Sequence, residues 1–272
     1  MGKNMIWISP DERIKKIIIK EGEHGLKPTE NCECKINITN CDFNVEKYNN
    51  YPVVVGQSDD SFERLLDIVL TMMKINELAN VSFLLNKNNT VTLTLHLIEF
   101  KSNGFIFEWN AKTKFDLSLK HKTRGVELFK ENRYIDASHR FSKATKLLSS
   151  IPIDVELKPN EIDNVKIEEI ETLKSNLYNN LASCQLRNQN YEHVIVLCDR
   201  VLSVDPKNLK AMYKLAVALD GVHNIDKAFD VLKELLELDP QNKAAGEKFN
   251  SVQIKVKKNN AKVNAMIKKM FV

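Results

Sequence analysis

The sequence predicts an α+β N-terminal domain, an antiparallel sheet with one packed helix, over residues 1–105. A linker at 106–118 and an all-α solenoid of helical hairpins at 119–272 follow. Three observations predict this division. Apolar and polar residues alternate at period two in several short segments of the first part. One stripe at helical spacing, Phe62 to Met73, interrupts them. Beyond residue 118 the chain repeats itself every 34 residues. Turn formers are scarce, with 8 Gly and 7 Pro in 272 residues, too few for an all-β protein throughout.

The elements follow in order. Ile14, Ile17, Ile18 and Ile19 form a β-branched run ending at Glu21-Gly22. Cys34, Ile36 and Ile38 alternate with Lys35, Asn37 and Thr39, so one face is apolar. Tyr51 to Val55 is a short strand closed by Gly56, and Thr90 to Phe100 alternates again through Val91, Leu93, Leu95 and Leu97. Between these strands Asp60 or Ser61 can cap a helix. Phe62, Leu65, Leu66, Val69 and Met73 then lie on one face. That stripe needs a sheet to cover it. Residues 101–118 are polar, carry Trp109 as an exposed-looking aromatic, and read as connecting chain.

In the second half Asp205-Pro206 recurs as Asp239-Pro240, Leu181-Ala182 as Leu215-Ala216, and Leu202 as Leu236. A period of 34 residues is that of the tetratricopeptide repeat, TPR, a helical hairpin with small residues where its helices touch. Units then start at Ser118, Ser175 and Leu209. Gly125, Ala182 and Ala216 share the first small position, and Ala137, Val194 and Ala228 the second. Unit two is the loosest, with Cys198 and Val201 at the next two apolar positions. An insertion separates units one and two within Ser149–Leu173, around Pro152, Pro159 and the acidic run Glu168–Glu171. The final apolar stripe, Val252, Val256, Val263, Met266, Ile267 and Met270, predicts a helix capping the last repeat, with a calmodulin-type target as the alternative.

Composition excludes several classes. A net charge of +4 is too balanced to imply nucleic acid. No apolar run is long enough for a membrane span. The N-terminus has no apolar signal core, which predicts a cytoplasmic or nuclear chain. The five cysteines show no second pair at zinc-finger spacing and read as buried or free thiols. No catalytic constellation, metal site or cofactor is expected.

A stacked solenoid lines its concave groove with the first helix of each unit. The inward positions place Lys122, Val126 and Phe129 there from unit one, Asn180 from unit two, and Lys210 and Lys214 from unit three. Ammonium groups facing one another repel unless an anion lies between them, and carboxylates are the natural guests. The residues allow a second reading, a solvated lysine face.

These residues carry a resemblance. Lys122, Asn180, Lys210 and Lys214 sit where TPR co-chaperones place a dicarboxylate clamp. The stretch from Lys122 to Tyr134, Asn180-Leu-Ala-Ser-Cys184, the Phe107-Glu-Trp109 linker and the closing Met270-Phe271 resemble the FKBP-type immunophilins with a TPR domain. Trp7-Ile-Ser-Pro-Asp11, Lys15-Lys-Ile-Ile18, Cys198-Asp-Arg-Val-Leu202 and Lys268-Lys-Met-Phe271 resemble more closely a divergent FKBP-like branch of that family. The resemblance implies a degenerate FKBP-like domain at 1–105 and a TPR domain of three repeats and a capping helix at 119–272. It implies a co-chaperone adaptor that grips the C-terminal Glu-Glu-Val-Asp tail of the 90-kDa heat-shock chaperone, or that of the 70-kDa chaperone, and brings an unknown client. Val126 and Phe129 would form the groove wall. The alternatives are a weak peptidyl-prolyl isomerase and a TPR scaffold for another acidic C-terminus.

This sequence departs from the clamp pattern at two positions and from the isomerase pocket as well, and Val126 stands where the clamp has its second asparagine, a position FKBP-type TPR domains also commonly leave without one. Lys214 stands where the clamp has arginine, keeping the charge and losing the bidentate fork. The proline pocket of active FKBP-type isomerases lacks its parts. Its floor tryptophan falls at Leu66, its long flap shrinks to Leu84–Thr90, and its Phe-Asp wall pair is replaced by a poorly placed Asp42-Phe43. Without a desolvated, shaped pocket the resemblance implies no catalysis.

Overall fold

The computed structural model describes residues 5–41, 43–86, 89–153 and 159–270. Asp42, Phe271, residues 87–88 and residues 154–158 of the insertion lie outside them. The chain divides into two compact units, Met1–Trp109 and Asn110–Val272.

The first unit is a six-stranded antiparallel sheet. Its strands are β1 (Ile6–Ile8), β2 (Ile14–Lys20), β3 (Glu33–Thr39), β4 (Val53–Val54), β5 (Leu78–Asn86) and β6 (Asn89–Lys101), in the order β1-β2-β5-β6-β3-β4. A short helix α1 (Glu46–Asn50) precedes β4, and α2 (Ser61–Leu70) follows it. Asp60 caps α2, its Oδ1 accepting from Glu63 N at 2.8 Å. Phe62, Leu65, Leu66 and Val69 bury the apolar stripe of α2 against Ile14, Ile36, Ile38, Val81, Phe83, Leu93, Leu95 and Leu97 of the sheet. The period-two alternation therefore holds in β3 and β6.

Two strands were not legible. β5 alternates buried Ala79, Val81 and Phe83 with Asn80 and Ser82. β1 is a three-residue edge strand whose Ile6 and Ile8 are exposed.

The second unit contains three hairpins and a last helix. The hairpins are α3 (Ala111–Lys130) with α4 (Tyr134–Ser149), α5 (Ile167–Arg187) with α6 (Tyr191–Leu202), and α7 (Leu209–Gly221) with α8 (Ile225–Leu238). α9 (Lys243–Met270) follows. The repeat is visible in the backbone. Asn132, Gln189 and His223, equivalent residues of the three hairpin turns, all have positive φ, 64°, 58° and 62°. The helices touch where small residues were expected. A Cβ on Gly125 would lie 2.5 Å from the buried Phe141 ring, so α3 and α4 could not approach as they do with alanine there. Ala182, Ala216, Ala137, Val194 and Ala228 are likewise buried.

The expected linker at 106–118 is corrected. Asn110 caps α3 by accepting from Thr113 N at 2.8 Å, and Ala111, Phe115, Leu117 and Ser118 are buried. Residues 111–118 are thus the first turns of α3, held there by packing. Trp109 is half-buried, and its Nε1 donates to Asn103 O at 2.6 Å. The acidic run also belongs to a helix. Glu168 and Glu169 occupy the first turn of α5, where carboxylates oppose the positive end of the helix dipole. The described part of the insertion is a hairpin of β7 (Glu161–Ile162) and β8 (Val165–Lys166), turning through Asp163 and Asn164 at φ 49° and 61°. Asp163 Oδ2 accepts from Ala111 N at 2.6 Å, so the insertion satisfies an orphan donor of α3.

The first half of α9 caps the last repeat, with Ala245 and Val252 buried and Phe249 stacked on Phe229 at 4.9 Å. Lys248 and Lys255 both reach Asp220 of α7 at 2.6 Å. Val263, Met266, Ile267 and Met270 are exposed, so capping accounts for only the first half of that stripe. No helix among the described residues is long and apolar enough to cross a membrane.

Candidate functional site

The site is built on α3, α5 and α7, the first helices of the three hairpins, with α5 packed on both others. Lys122 lies on α3, Asn180 on α5, and Lys210 and Lys214 on α7. Lys122, Asn180 and Lys214 are half-buried, and Lys210 is exposed. Among the described residues, Lys122, Lys210 and Lys214 enter no ion pair. Val126 and Phe129 pack half-buried against the helical core.

Lys214 is the most constrained of the four. Its Nζ donates to Asn179 Oδ1 at 3.1 Å. Burial holds its ammonium below the usual lysine range, and the nearby Lys210 charge acts in the same direction. An arriving carboxylate would relieve both effects. Asn179 was missed in the sequence. It occupies the same repeat position as Lys122, one of the inward set, and that signal could have found it.

Behind Lys122, on the buried side of α3, His121 is 1% exposed. Its Nδ1 accepts from Arg140 Nη1 at 3.2 Å, and its Nε2 is buried without a partner. Burial pushes its pKa down to about 3, and the charges of Arg140, Lys143, Lys120 and His139 add to this. An unfolded histidine titrates near ~6.5. Between these values the unfolded chain binds a proton that the fold does not, so stability falls as pH drops below ~6.5. From pH 7 to 5 the helical unit should lose about 2 kcal/mol, at ~1.4 kcal/mol per pH unit. Urea unfolding followed by helical circular dichroism checks this. A His121→Gln variant that keeps the full wild-type pH dependence would refute it.

In the first unit the expected pocket floor is absent. Leu66 is 0% exposed and belongs to the core, so it lines no opening. Trp7 lies on β1 opposite Lys16. At the short Leu84–Thr90 connection Leu84 pairs with Thr90 and Asn86 with Asn89, with a register shift between the two pairs. Of the Asp42-Phe43 pair, Phe43 is described, and it forms part of an aromatic cluster that sequence reasoning did not foresee. Phe43, Tyr48 and Phe83 surround Phe62 at ring distances of 4.9, 5.7 and 5.5 Å. Beside it runs an open cleft of about 570 Å³, lined also by Lys47, Leu85 and Val91.

Lys47 Nζ donates to Glu63 Oε1 at 2.7 Å at the edge of this cleft, and Tyr48 Oη donates to the same oxygen at 3.2 Å. Burial raises the Glu63 pKa, but the hydrogen bonds from Lys47, Asp59 N and Tyr48 and the Lys47 charge together outweigh it, and the net shift is downward. Burial pushes Tyr48 up to about 12, so it stays neutral.

Nothing among the described residues gathers ligands for a metal. Cys32, Cys34, Cys184 and Cys198 are buried and Cys41 half-buried, all as free thiols. Burial pushes Cys34, Cys184 and Cys198 up to about 12, which leaves no thiolate for chemistry.

Comparison with known proteins follows the same division. Residues 7–102 match the family described as BDBT FKBP like N-terminal, and residues 110–196 that described as Bride of doubletime-like, TPR domain. The chain is 30% identical to the FK506-binding protein-like protein of Rattus norvegicus over 98% of its own length and 73% of that protein's. It is 29% identical to the Homo sapiens protein of the same name, over 98% and 72%. Among solved structures, the crystal structure of residues 1–211 of CG17282 is similar in fold, with TM-score 0.57 and 21% identity, covering 70% of this chain and 97% of that one.

Proposed function

Since this chain belongs to the FK506-binding protein-like family, a divergent FKBP-like unit joined to a TPR unit, we propose that it is a non-enzymatic co-chaperone adaptor. Its TPR unit holds the acidic C-terminal tail of the 90-kDa heat-shock chaperone in a carboxylate clamp of Lys122, Asn180, Lys210 and Lys214. One observation carries this reading. Three lysines on the first helices of their hairpins enter no ion pair among the described residues, and one of them is partly desolvated. Elsewhere Lys16, Lys174 and Lys248 each have a carboxylate partner, and the buried Lys114 donates to Ser150 O at 3.0 Å. A C-terminal aspartate brings two carboxylates, one from the main chain and one from the side chain, to such a group of donors.

The FKBP-like unit serves as a protein-binding surface. Rotation about a prolyl bond requires a dry, closely shaped pocket. In this unit Leu66 is sealed in the core, and the aromatic cleft is open to solvent with an ion pair at its edge.

Calorimetry on the full chain with two Glu-Glu-Val-Asp peptides tests the reading, one peptide with a free C-terminus and one amidated. The free peptide should bind, and the amidated one should bind at least ~10-fold more weakly, because a desolvated lysine loses its partner. Equal affinity would exclude recognition of a C-terminus. A prolyl isomerase assay on the same preparation should show no rate above the uncatalysed one, and clear turnover would overturn the non-enzymatic assignment.

A further inference from the structure

The lysines of the groove are not held alike. Among the described residues Lys122 and Lys210 enter no ion pair or side-chain hydrogen bond, whereas Lys214 donates to Asn179 Oδ1 at 3.1 Å. Asn179 is 8% exposed on α5, and its amide is fixed at both ends. A lysine ammonium can only donate, so Oδ1 must face it. On the other side Asn179 Nδ2 donates to Asn208 Oδ1 at 3.4 Å. That oxygen is the N-cap of α7 and also accepts from Ala211 N at 3.0 Å. Asn208 Nδ2 in turn donates to Asp205 Oδ2 at 3.0 Å. A flipped Asn179 amide would set donor against donor at Lys214 and oxygen against oxygen at Asn208. One orientation alone satisfies the chain.

We propose that Asn179 is a positioning residue of the groove. It accepts one N–H of Lys214 and leaves the other two for the carboxylate of a C-terminal peptide. The inference rests on the clamp reading above. Lysine lacks the rigid fork of arginine and loses more rotamer freedom for each hydrogen bond it forms. Anchoring its ammonium to a fixed amide, itself tied to the start of the same helix, removes part of that loss before the peptide arrives. The acceptor must be neutral. A carboxylate at 179 would pair with Lys214 and cancel the charge that attracts the peptide, while an amide orients the ammonium and leaves its charge intact. The second helix therefore supplies two adjacent asparagines with different duties: Asn180 at the clamp position and Asn179 behind Lys214.

The test is a double-mutant cycle on the full chain, read by calorimetry with the free-carboxylate Glu-Glu-Val-Asp peptide. Asn179→Ala should weaken binding about 5- to 10-fold in the wild-type background and less than about 2-fold when Lys214→Ala is already present. The isosteric Asn179→Asp, with its helical fold checked by circular dichroism, should weaken binding at least about 10-fold and flatten the decline of affinity with salt. Equal losses from Asn179→Ala in both backgrounds would mean a merely structural role and overturn the proposal. So would an Asn179→Asp variant with unchanged affinity and salt dependence. Absence of binding by the unaltered chain would overturn the clamp reading, and this inference with it. Binding without coupling would overturn this inference alone.

Discussion

Reversing the charge at Lys214 is expected to weaken binding of a free Glu-Glu-Val-Asp peptide at least about 100-fold. Three effects act in one direction. The substitution removes an ammonium that is already partly desolvated, so little of its hydration remains to be lost on binding. It places a carboxylate where the peptide brings its own, and like charges meeting in a protected site repel strongly. It also faces Asn179 Oδ1 with an oxygen in place of a donor, which unsettles the amide chain from Asn208. Lys122→Ala removes attraction without adding repulsion, and a loss of about 10-fold is expected. Neither residue has a carboxylate partner among the described residues, so Lys122→Ala should unfold at nearly the wild-type urea concentration, and Lys214→Glu, which opposes Asn179 Oδ1, at a somewhat lower one. A folded Lys214→Glu protein with unaltered affinity would remove Lys214, and with it the clamp, from the binding reaction.

The parts of this molecule legible in its sequence are those where one physical constraint acts locally. The helix at 61–70 announces itself because Asp60 can cap it and its stripe has one period. The hairpins announce themselves because close helix contact admits only small residues, and that demand recurs at Gly125, Ala182 and Ala216. Where two constraints compete, the pattern blurs. In β5 the inward residues include Ala79 and the outward ones are Asn80 and Ser82, residues with weak strand preference whose place is set by pairing with β2 and β6. In β1 the exposed Ile6 and Ile8 contradict the usual inside–outside pattern.

The early start of α3 was hidden because a 34-residue template has no positions before its own first residue, although Asn110 and Thr113 already spelled a cap. The four candidate clamp residues could be named from the sequence because each stands at a fixed repeat position. Asn179 stands at such a position too, the one Lys122 holds in its unit, but its contacts with Asn208 and Lys214 arise only when another hairpin meets it. The aromatic cluster around Phe62 draws on α1, α2, β5 and the chain before α1, and no single window of sequence contains it.

Removing Glu77 is expected to destabilise the first unit by about 3–5 kcal/mol. Lys16 and Glu77 form an ion pair at 2.7 Å with side chains only 5% and 3% exposed. Glu77 Oε2 also accepts from Lys74 N at 3.0 Å, and Lys16 Nζ reaches Met72 O at 3.4 Å. The pair ties β2 to the start of β5. Lys16 escaped notice in the sequence because it sits in a run of isoleucines, where a lysine next to Lys15 suggests a solvated edge. Its side chain instead shares the inward face with Ile14.

The pair itself contributes little net stability, because desolvating two ions offsets most of their attraction. Its importance lies in the asymmetry. Glu77→Ala would leave an ammonium sealed in the core with one weak acceptor, whereas Lys16→Met with Glu77→Leu removes both charges and leaves apolar groups of similar size. The single variant should therefore lose a large share of the ~5–15 kcal/mol that holds a typical domain together, and the double variant about 1 kcal/mol or less. Trp7 and Trp109 both lie in the first unit, so tryptophan fluorescence during urea unfolding reports on it selectively. A single variant that unfolds within about 1 kcal/mol of wild type, or a double variant as unstable as the single, would show that the cost does not come from a stranded charge.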